Sequence, residues 1–225
     1  MTALGDRMKG NYEHRQRVYL TRRMPVIIRL DGRAFHSLTR KMVRPFDGQF
    51  ITAMRKAAQF VADDIQGCKV AYVQSDEVSF LLTDYDKLQT EGWFNYNLCK
   101  MVSIAASEMS VEFSMYLDTP GIFDGRAFNI PREEVANYFL WRAQDWHRNS
   151  VLMYSQKFFS HKQMHGKNLN DLHEMLHKID KNWTTDLVSH FKNGWWCNNS
   201  TWRSDILPDY ASINAVISPY VEGQE

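Results

Sequence analysis

The chain is predicted to be an α+β protein: a split βαβ, ferredoxin-like sheet followed by a C-terminal helical layer. Three observations carry that prediction. Short β-rich runs occur at residues 26–30, 70–73 and 78–82, helix-spaced apolar residues lie between and after them, and beyond Pro131 the pattern is mostly helical.

The first run, Val26 onward, ends at Asp31-Gly32, a turn signal. Residues 46–65 place Phe50, Ile51, Met54, Ala57, Ala58, Val61 and Ile65 at helical spacing, and Gly67 stops them. Residues 70–73 and 78–82 read as two strands joined by the polar turn Gln74-Ser75-Asp76-Glu77. Residues 96–109 form the next helix, with Leu98, Met101, Val102, Ala105 and Met109 on one face. Further strands are expected at 113–115 and 126–130, around Asp124-Gly125. Pro131 suits a first helical position, and helices are expected at 133–146, 149–159 and 168–179. The strand–helix–strand–strand–helix–strand order of the first half is the split βαβ order. Residues 1–130 are therefore expected to form a catalytic domain with a basic N-terminal helix over 7–23, and residues 131–225 a mainly helical region packed on it.

The composition is that of an ordinary globular chain, with 225 residues, 44% hydrophobic and 24% charged. The longest apolar runs are far too short to span a bilayer. The first ten residues carry Asp6, Arg7 and Lys9, unlike a secretory leader. Cys68, Cys99 and Cys197 are odd in number and form no CxxC pair, which argues against a disulfide framework and fits a cytoplasmic location. The net charge of +1 hides an asymmetry. Residues 1–44 hold eleven Lys/Arg against three acids, whereas residues 45–140 hold seven against fourteen. A basic segment beside an acidic body suits an anionic ligand such as nucleic acid or a triphosphate, or else a solvated basic helix.

Asp31 ends the first strand, and Asp76 with Glu77 occupies the hairpin tip. In a split βαβ sheet these places can be neighbours. Adjacent carboxylates repel unless a cation neutralises them. Magnesium takes hard oxygen ligands and keeps positions open for phosphate oxygens. Two such ions are a standard device for in-line phosphoryl displacement. Gly32 would let its backbone carbonyl approach a metal closely. Arg33, Arg40, Lys41 and Arg44 would serve as a triphosphate clamp. Each signal alone is more often a plain turn or a solvated hairpin.

The ordered strings sharpen this. Ile28-Arg29-Leu30-Asp31-Gly32-Arg33-Ala34-Phe35-His36 and Gln74-Ser75-Asp76-Glu77-Val78-Ser79-Phe80 resemble the tRNA-His guanylyltransferase family. Supporting strings are Arg44-Pro45-Phe46-Asp47, Phe123-Asp124-Gly125-Arg126 and Trp141-Arg142-Ala143-Gln144-Asp145. Arg148-Asn149-Ser150-Val151 and the stretch from Ser160 to Asn168 are similar to its bacterial, archaeal and phage-type branch. The resemblance implies a polymerase-type palm and nucleotide addition in the 3′–5′ direction to a tRNA 5′ end, as tRNA-His guanylylation or 5′-end repair, with two Mg²⁺ ions and with GTP and ATP as substrates. It implies Asp31, the Gly32 carbonyl and Asp76 as metal ligands, and Asp31 and Asp76 as the catalytic carboxylates. Nucleotide contacts fall to Asp31, Gly32, Arg33, Ala34, Phe35, His36, Arg44, Ser75, Asp76 and Lys100, and tRNA contacts to His147, Arg148, Asn149, Lys162 and Lys167. A homotetramer is expected on the same ground. Asn97 stands where eukaryotic-type relatives carry an arginine, and His147-Arg148-Asn149-Ser150 keeps only part of their tRNA-handling string.

Rival readings are a palm protein that binds tRNA without chemistry and a nucleotide cyclase. A third rival is a zinc hydrolase, because His173-Glu174-Met175-Leu176-His177 is a literal HExxH. Its apolar neighbours Leu169, Leu172, Leu176 and Ile179 favour a buried helix face. His161 and His165 are read as facing solvent or RNA. Trp195, Trp196, Trp202 and Tyr210 are read as core or interface residues more readily than as base-stacking ones.

Overall fold

In the computed structural model, which describes residues 2–222, the chain runs α1 (Ala3–Met8), β1 (Val26–Gly32), α2 (Phe35–Leu38), α3 (Gly48–Asp64), β2 (Cys68–Gln74), β3 (Glu77–Leu82), α4 (Leu98–Leu117) and β4 (Phe123–Asn129). It continues with α5 (Arg132–Ser155), α6 (His161–Met164), α7 (Leu169–His177), α8 (Trp183–Asp186), α9 (Ser189–Asn193), β5 (Trp195–Asn198), β6 (Thr201–Arg203) and α10 (Tyr210–Val221). The strands make one antiparallel sheet in the order β4-β1-β3-β2-β5-β6. Its first four strands are the expected split βαβ, with β1 and β3 side by side at the centre.

Side-chain alternation along β1 divides the core. Val26, Ile28 and Leu30 join Val78, Phe80 and Leu82 of β3 under α3 and α4. Ile27, with Leu81, faces the other way, onto α5 and α10. Arg29, Asp31, Glu77 and Ser79 continue that second face toward the hairpin end, so a polar half-layer lies between the sheet and α5. A third cluster, around Val151, Tyr154, Leu172 and Trp183, binds the end of α5 to α7 and α8.

The structure departs from the sequence expectation in four places and adds one element that the sequence left unread. Residues 113–115 are not a strand; they form the last turns of α4, because Met101, Ala105, Met109 and Phe113 make a four-residue stripe that is fully buried. The helices expected at 133–146 and 149–159 are one helix, α5. No Gly or Pro interrupts it, and Asp145 accepts from Arg148 and Asn149 one turn on, at 2.6 and 3.4 Å. The basic N-terminal helix stops early. After α1, one π turn and one 3₁₀ turn reach Gln16 with no buried residue, so no apolar face rewards continuation. The aromatic stretch after Gly194 becomes β5 and β6, with Trp196 buried and stacked on Tyr72 at 4.2 Å. Finally α10, for which the sequence offered no reading, is capped by Asp209 and buries Ile213 and Ile217. The C-terminal half thus extends the sheet as well as covering it.

Two basic residues of the N-terminal segment are committed to structure. Arg22 and Arg23 bind the fully buried Asp84 through a side chain at 3.3 Å and a backbone amide at 2.9 Å. On the far side of the sheet, burial and then the Asp64 carboxylate push Glu108 up to about 7 from an ordinary 4.5. The folded protein therefore keeps a proton that the unfolded chain has released. Stability is expected to fall as pH rises from about 4.5 to about 7 and to level off above. Thermal unfolding across that range should lose this decline in Glu108→Gln; a decline unchanged in the variant would assign it to other groups.

Candidate active site

The site grows out of the pairing of β1 with β3. Their register sets Asp31 opposite Glu77 and Leu30 opposite Val78, and the Gly32 amide donates to the Asp76 carbonyl at 2.9 Å. The end of the first strand and the hairpin tip are thereby locked together. Ser75 and Asp76 form the two-residue turn between the paired Gln74 and Glu77, with Ser75 in the left-handed region at φ 48°. Asp31 and Asp76 both line one cavity of about 340 Å³, together with Gln74, Ser75, Glu77, Arg142, Asp145 and Asn149.

Both aspartates are held above the usual carboxylate range. For Asp76 burial is the main cause; the charges of Asp31 and Glu77 add to it, while its own amide and the Ser75 hydroxyl oppose it. For Asp31 burial again leads, followed by Asp124, its partner across β4, against the pull of Arg29, Arg126 and Arg142. Two half-buried, mutually repelling carboxylates with hard oxygen donors fit a divalent cation of the magnesium class. Among the described residues no three His, Cys, Asp or Glu side chains converge on one point. The fit is therefore to two carboxylates supplemented by backbone and substrate oxygens.

Beside this cavity, and sharing Ser75, Trp146 and Met153 with it, lies a second one of about 300 Å³. It is lined by His36, Met42, Val43, Arg44, Pro45, Phe46 and Phe50. The Arg44–Pro45 bond is cis, and Asp47 accepts from the Val43 amide at 3.0 Å as well as capping α3 at Gln49 and Phe50. Phe46 stacks on Phe191 at 4.6 Å and meets Trp146 edge-on at 6.1 Å, fastening the loop to α5 and α9. Arg33, Arg40, Lys41 and Arg44 are exposed and form no ion pair among the described residues.

The candidates named from the sequence are distributed unevenly. Asp31, Ser75 and Asp76 meet at the carboxylate cavity, and His36, Arg44 and Ser75 at its neighbour. Arg33 and Ala34 are exposed on the connecting turn. Phe35 points into the core among Phe50, Phe113 and Phe123 and lines neither cavity. Gly32 is needed for packing as well: an added Cβ would stand 2.5 Å from the Phe35 ring. Gly32→Ala is expected to cost about 1–3 kcal/mol by overpacking, read by urea unfolding. Phe35→Leu in the same chain should recover part of that loss, and simple additivity of the two changes would contradict the clash.

Lys100 lies elsewhere, in the first turn of α4, exposed, with Nζ 5.6 Å from the Phe94 ring centre. It lines neither cavity. Asn97 is the N-cap of α4, accepting from the Lys100 amide at 3.1 Å, a task that arginine could not perform. On α5, Asn149 reaches the carboxylate cavity and Arg148 is exposed, whereas His147 packs half-buried on Trp183 at 4.7 Å. Lys162 and Lys167 are exposed on and beyond α6. His173 of the HExxH string also packs on Trp183, at 5.9 Å, and its pKa is lowered by burial. The free thiols of Cys68 and Cys197 are pushed up by burial to about 12 and about 11, so both stay protonated.

Sequence reasoning gave no role to the ion-pair network behind the aspartates. Arg142 donates to both Glu77 oxygens, at 2.7 and 2.9 Å, and to Asp145 at 3.2 Å. Only the string Trp141-Arg142-Ala143-Gln144-Asp145 pointed toward it.

A split βαβ sheet with its carboxylates gathered at the hairpin end of the two central strands is the palm arrangement, and the protein is of that class. The chain belongs to the tRNAHis guanylyltransferase (Thg1) family, whose sequence profile matches residues 5–131. Among solved structures it is similar to a bacterial tRNA(His) guanylyltransferase (Thg1)-like protein in complex with ATP, at 40% identity and a TM-score of 0.90, over 97% of this chain and 99% of that one. A bacterial Thg1-like protein in complex with GTP is similar at 36% identity and a TM-score of 0.85, over 98% and 99%. The probable tRNA(His) guanylyltransferase of Homo sapiens is 33% identical over 139 residues, 56% of this chain and 45% of the human protein. The chain thus spans a little under half the length of this relative and of the mouse and bovine ones it also matches. Among the described residues no helix is long and apolar enough to cross a membrane.

Proposed function

We propose that the protein is a nucleotidyltransferase that adds nucleotides in the 3′–5′ direction to the 5′ end of a tRNA, using nucleoside triphosphates. The observation that carries this reading is the meeting of Asp31 and Asp76 in one cavity that opens onto an apolar cleft. Family membership and the ATP- and GTP-bound bacterial relatives support it. In this reading a purine lies in the cleft edged by Met42, Pro45 and Phe46. Arg44, with the neighbouring Arg33, Arg40 and Lys41, neutralises phosphate charge.

Asp31, the Gly32 carbonyl and Asp76 would hold two Mg²⁺ ions, which supply Lewis-acid stabilisation of phosphoryl oxygens. The 3′-hydroxyl of the incoming nucleotide attacks the 5′ phosphorus of the RNA. One P–O bond forms, the bond to pyrophosphate or adenylate breaks, and the hydroxyl proton leaves to solvent. The contribution of the chain is to position both ends and to present the two carboxylates, whose ionised form bound cations would favour, beside the reacting phosphate. Arg148, Asn149, Lys162, Lys167 and the more buried His147 are proposed to face the tRNA. A homotetramer is proposed on family grounds; analytical ultracentrifugation would return about four chain masses, and a monomer would remove that part.

The test is incubation with Mg²⁺, each labelled nucleotide in turn, and tRNAs lacking their first 5′ nucleotides, bearing either a monophosphate with ATP or a triphosphate. Incorporation matched to the opposing base identifies 5′-end repair, and guanosine on tRNA-His regardless of pairing identifies guanylylation. Labelled product from GTP alone, or RNA binding without transfer, contradicts the reading.

A further inference from the structure

Four carboxylates line the active-site cavity: Asp31, Asp76, Glu77 and Asp145. Arg142 is the one cationic side chain among its lining residues. Glu77 and Arg142 are both 7% exposed, and the ring of Trp141 covers the guanidinium at 4.4 Å. Every oxygen of the two inner acids has a donor. Glu77 takes both arms of the Arg142 fork and the Gln74 amide at 3.2 Å, and Arg29 stands 4.0 Å away. Asp145 takes Arg142 on one oxygen and Arg148 on the other, at 3.2 and 2.6 Å. Asp31 and Asp76 have no ion-pair partner among the described residues.

We propose that Arg142 is a positioning residue that sets the cation-ligand set: by holding Glu77 and Asp145 it leaves Asp31 and Asp76 as the carboxylates open to a divalent ion. The inference rests on the reading of those two aspartates as cation ligands. Its physical basis is coordination number. Magnesium needs a small octahedral shell, several members of which must be exchangeable water or phosphate oxygens, whereas calcium accepts six to eight oxygens in loose geometry. Two surplus carboxylates swinging into the cavity would bind a cation more tightly, favour calcium, and occupy the positions phosphate must take. Glu77 directly follows Asp76 and is the acid most able to intrude. A bidentate guanidinium suits this restraint better than an ammonium, because its fork engages both oxygens at once.

The test is calorimetric titration of the purified protein with Ca²⁺ and with Mg²⁺, without nucleotide or RNA, so that the readout is independent of turnover. Arg142→Met and the gentler Arg142→Lys are expected to bind Ca²⁺ more tightly than the unaltered chain, by about tenfold for Met and less for Lys, with the preference for Ca²⁺ over Mg²⁺ rising in both. Adding Glu77→Gln and Asp145→Asn to Arg142→Met should return the affinity to its starting value. Loss of a merely structural prop would loosen the cavity and weaken binding. Equal or weaker Ca²⁺ binding in Arg142→Lys, which keeps the buried charge and so the best prospect of folding, overturns the proposal. A tightened cation site in a protein that transfers no nucleotide would leave this inference standing and remove the transferase reading. Active enzyme with unshifted cation binding would do the reverse.

Discussion

Asp31→Ala and Asp76→Ala are each expected to lower nucleotide transfer by about a thousandfold or more, equivalent to roughly 4 kcal/mol of barrier. Each removes one of two carboxylates that meet at the end of β1 and at the β2–β3 turn, and neither can be replaced locally, because Glu77 and Asp145 are held by Arg142. Groups that act as a unit lose their effect together, so the double variant should be scarcely worse than either single one. The same site makes an opposite demand on stability. Burial raises both carboxyl groups, so their charged forms oppose folding in the cation-free protein at neutral pH. The isosteric changes Asp31→Asn and Asp76→Asn should therefore raise the cation-free melting temperature by about 2–4 °C while abolishing transfer. Single-turnover assays and thermal unfolding of the same preparations check both halves. An inactive variant that also melts lower would point to damage at the hairpin instead of removal of a ligand.

The largest effect on stability is expected at Phe113. Its ring is fully buried and lies 5.2, 5.6 and 5.4 Å from the rings of Phe35, Phe50 and Phe123, tying α4 to α2, α3 and β4. Gly121 approaches so closely that a Cβ there would meet the ring at 2.5 Å, so little space remains for neighbours to relax into. Phe113→Ala should cost about 3–5 kcal/mol. Denaturant unfolding measures this directly, and a loss below about 1 kcal/mol would mean that the four-ring cluster is looser than its geometry indicates.

Phe113 also marks where sequence reasoning stops. Residues 113–115 read locally as strand, and only the contacts of Phe113 with Phe35, Phe50 and Phe123, distant in sequence, make a helix the better burial. The central strands and α3 were legible because their apolar periods of two and of about 3.6 are strong and bounded by Gly and Asp. The unbroken course of α5 was not, since His147-Arg148 reads as a break between two helices until Asp145 is seen to receive the side chains of Arg148 and Asn149 one turn on. β5 and β6 were hidden for a related reason: each is short, and Trp196 finds its place only against Tyr72. Within the site, Asp31 and Asp76 announced themselves by their positions at strand ends. Arg142 did not, because a helical arginine is usually solvated, and its partner Glu77 lies 65 residues away.

The most direct single measurement is anomalous diffraction from crystals soaked in Mn²⁺ and a non-hydrolysable GTP analogue. The structure predicts manganese bound by the carboxylates of both Asp31 and Asp76, with Glu77 still on Arg142 and the base in the cleft beside Phe46. Manganese at the His173–His177 helix, or held by one aspartate while the other turns away, would contradict it.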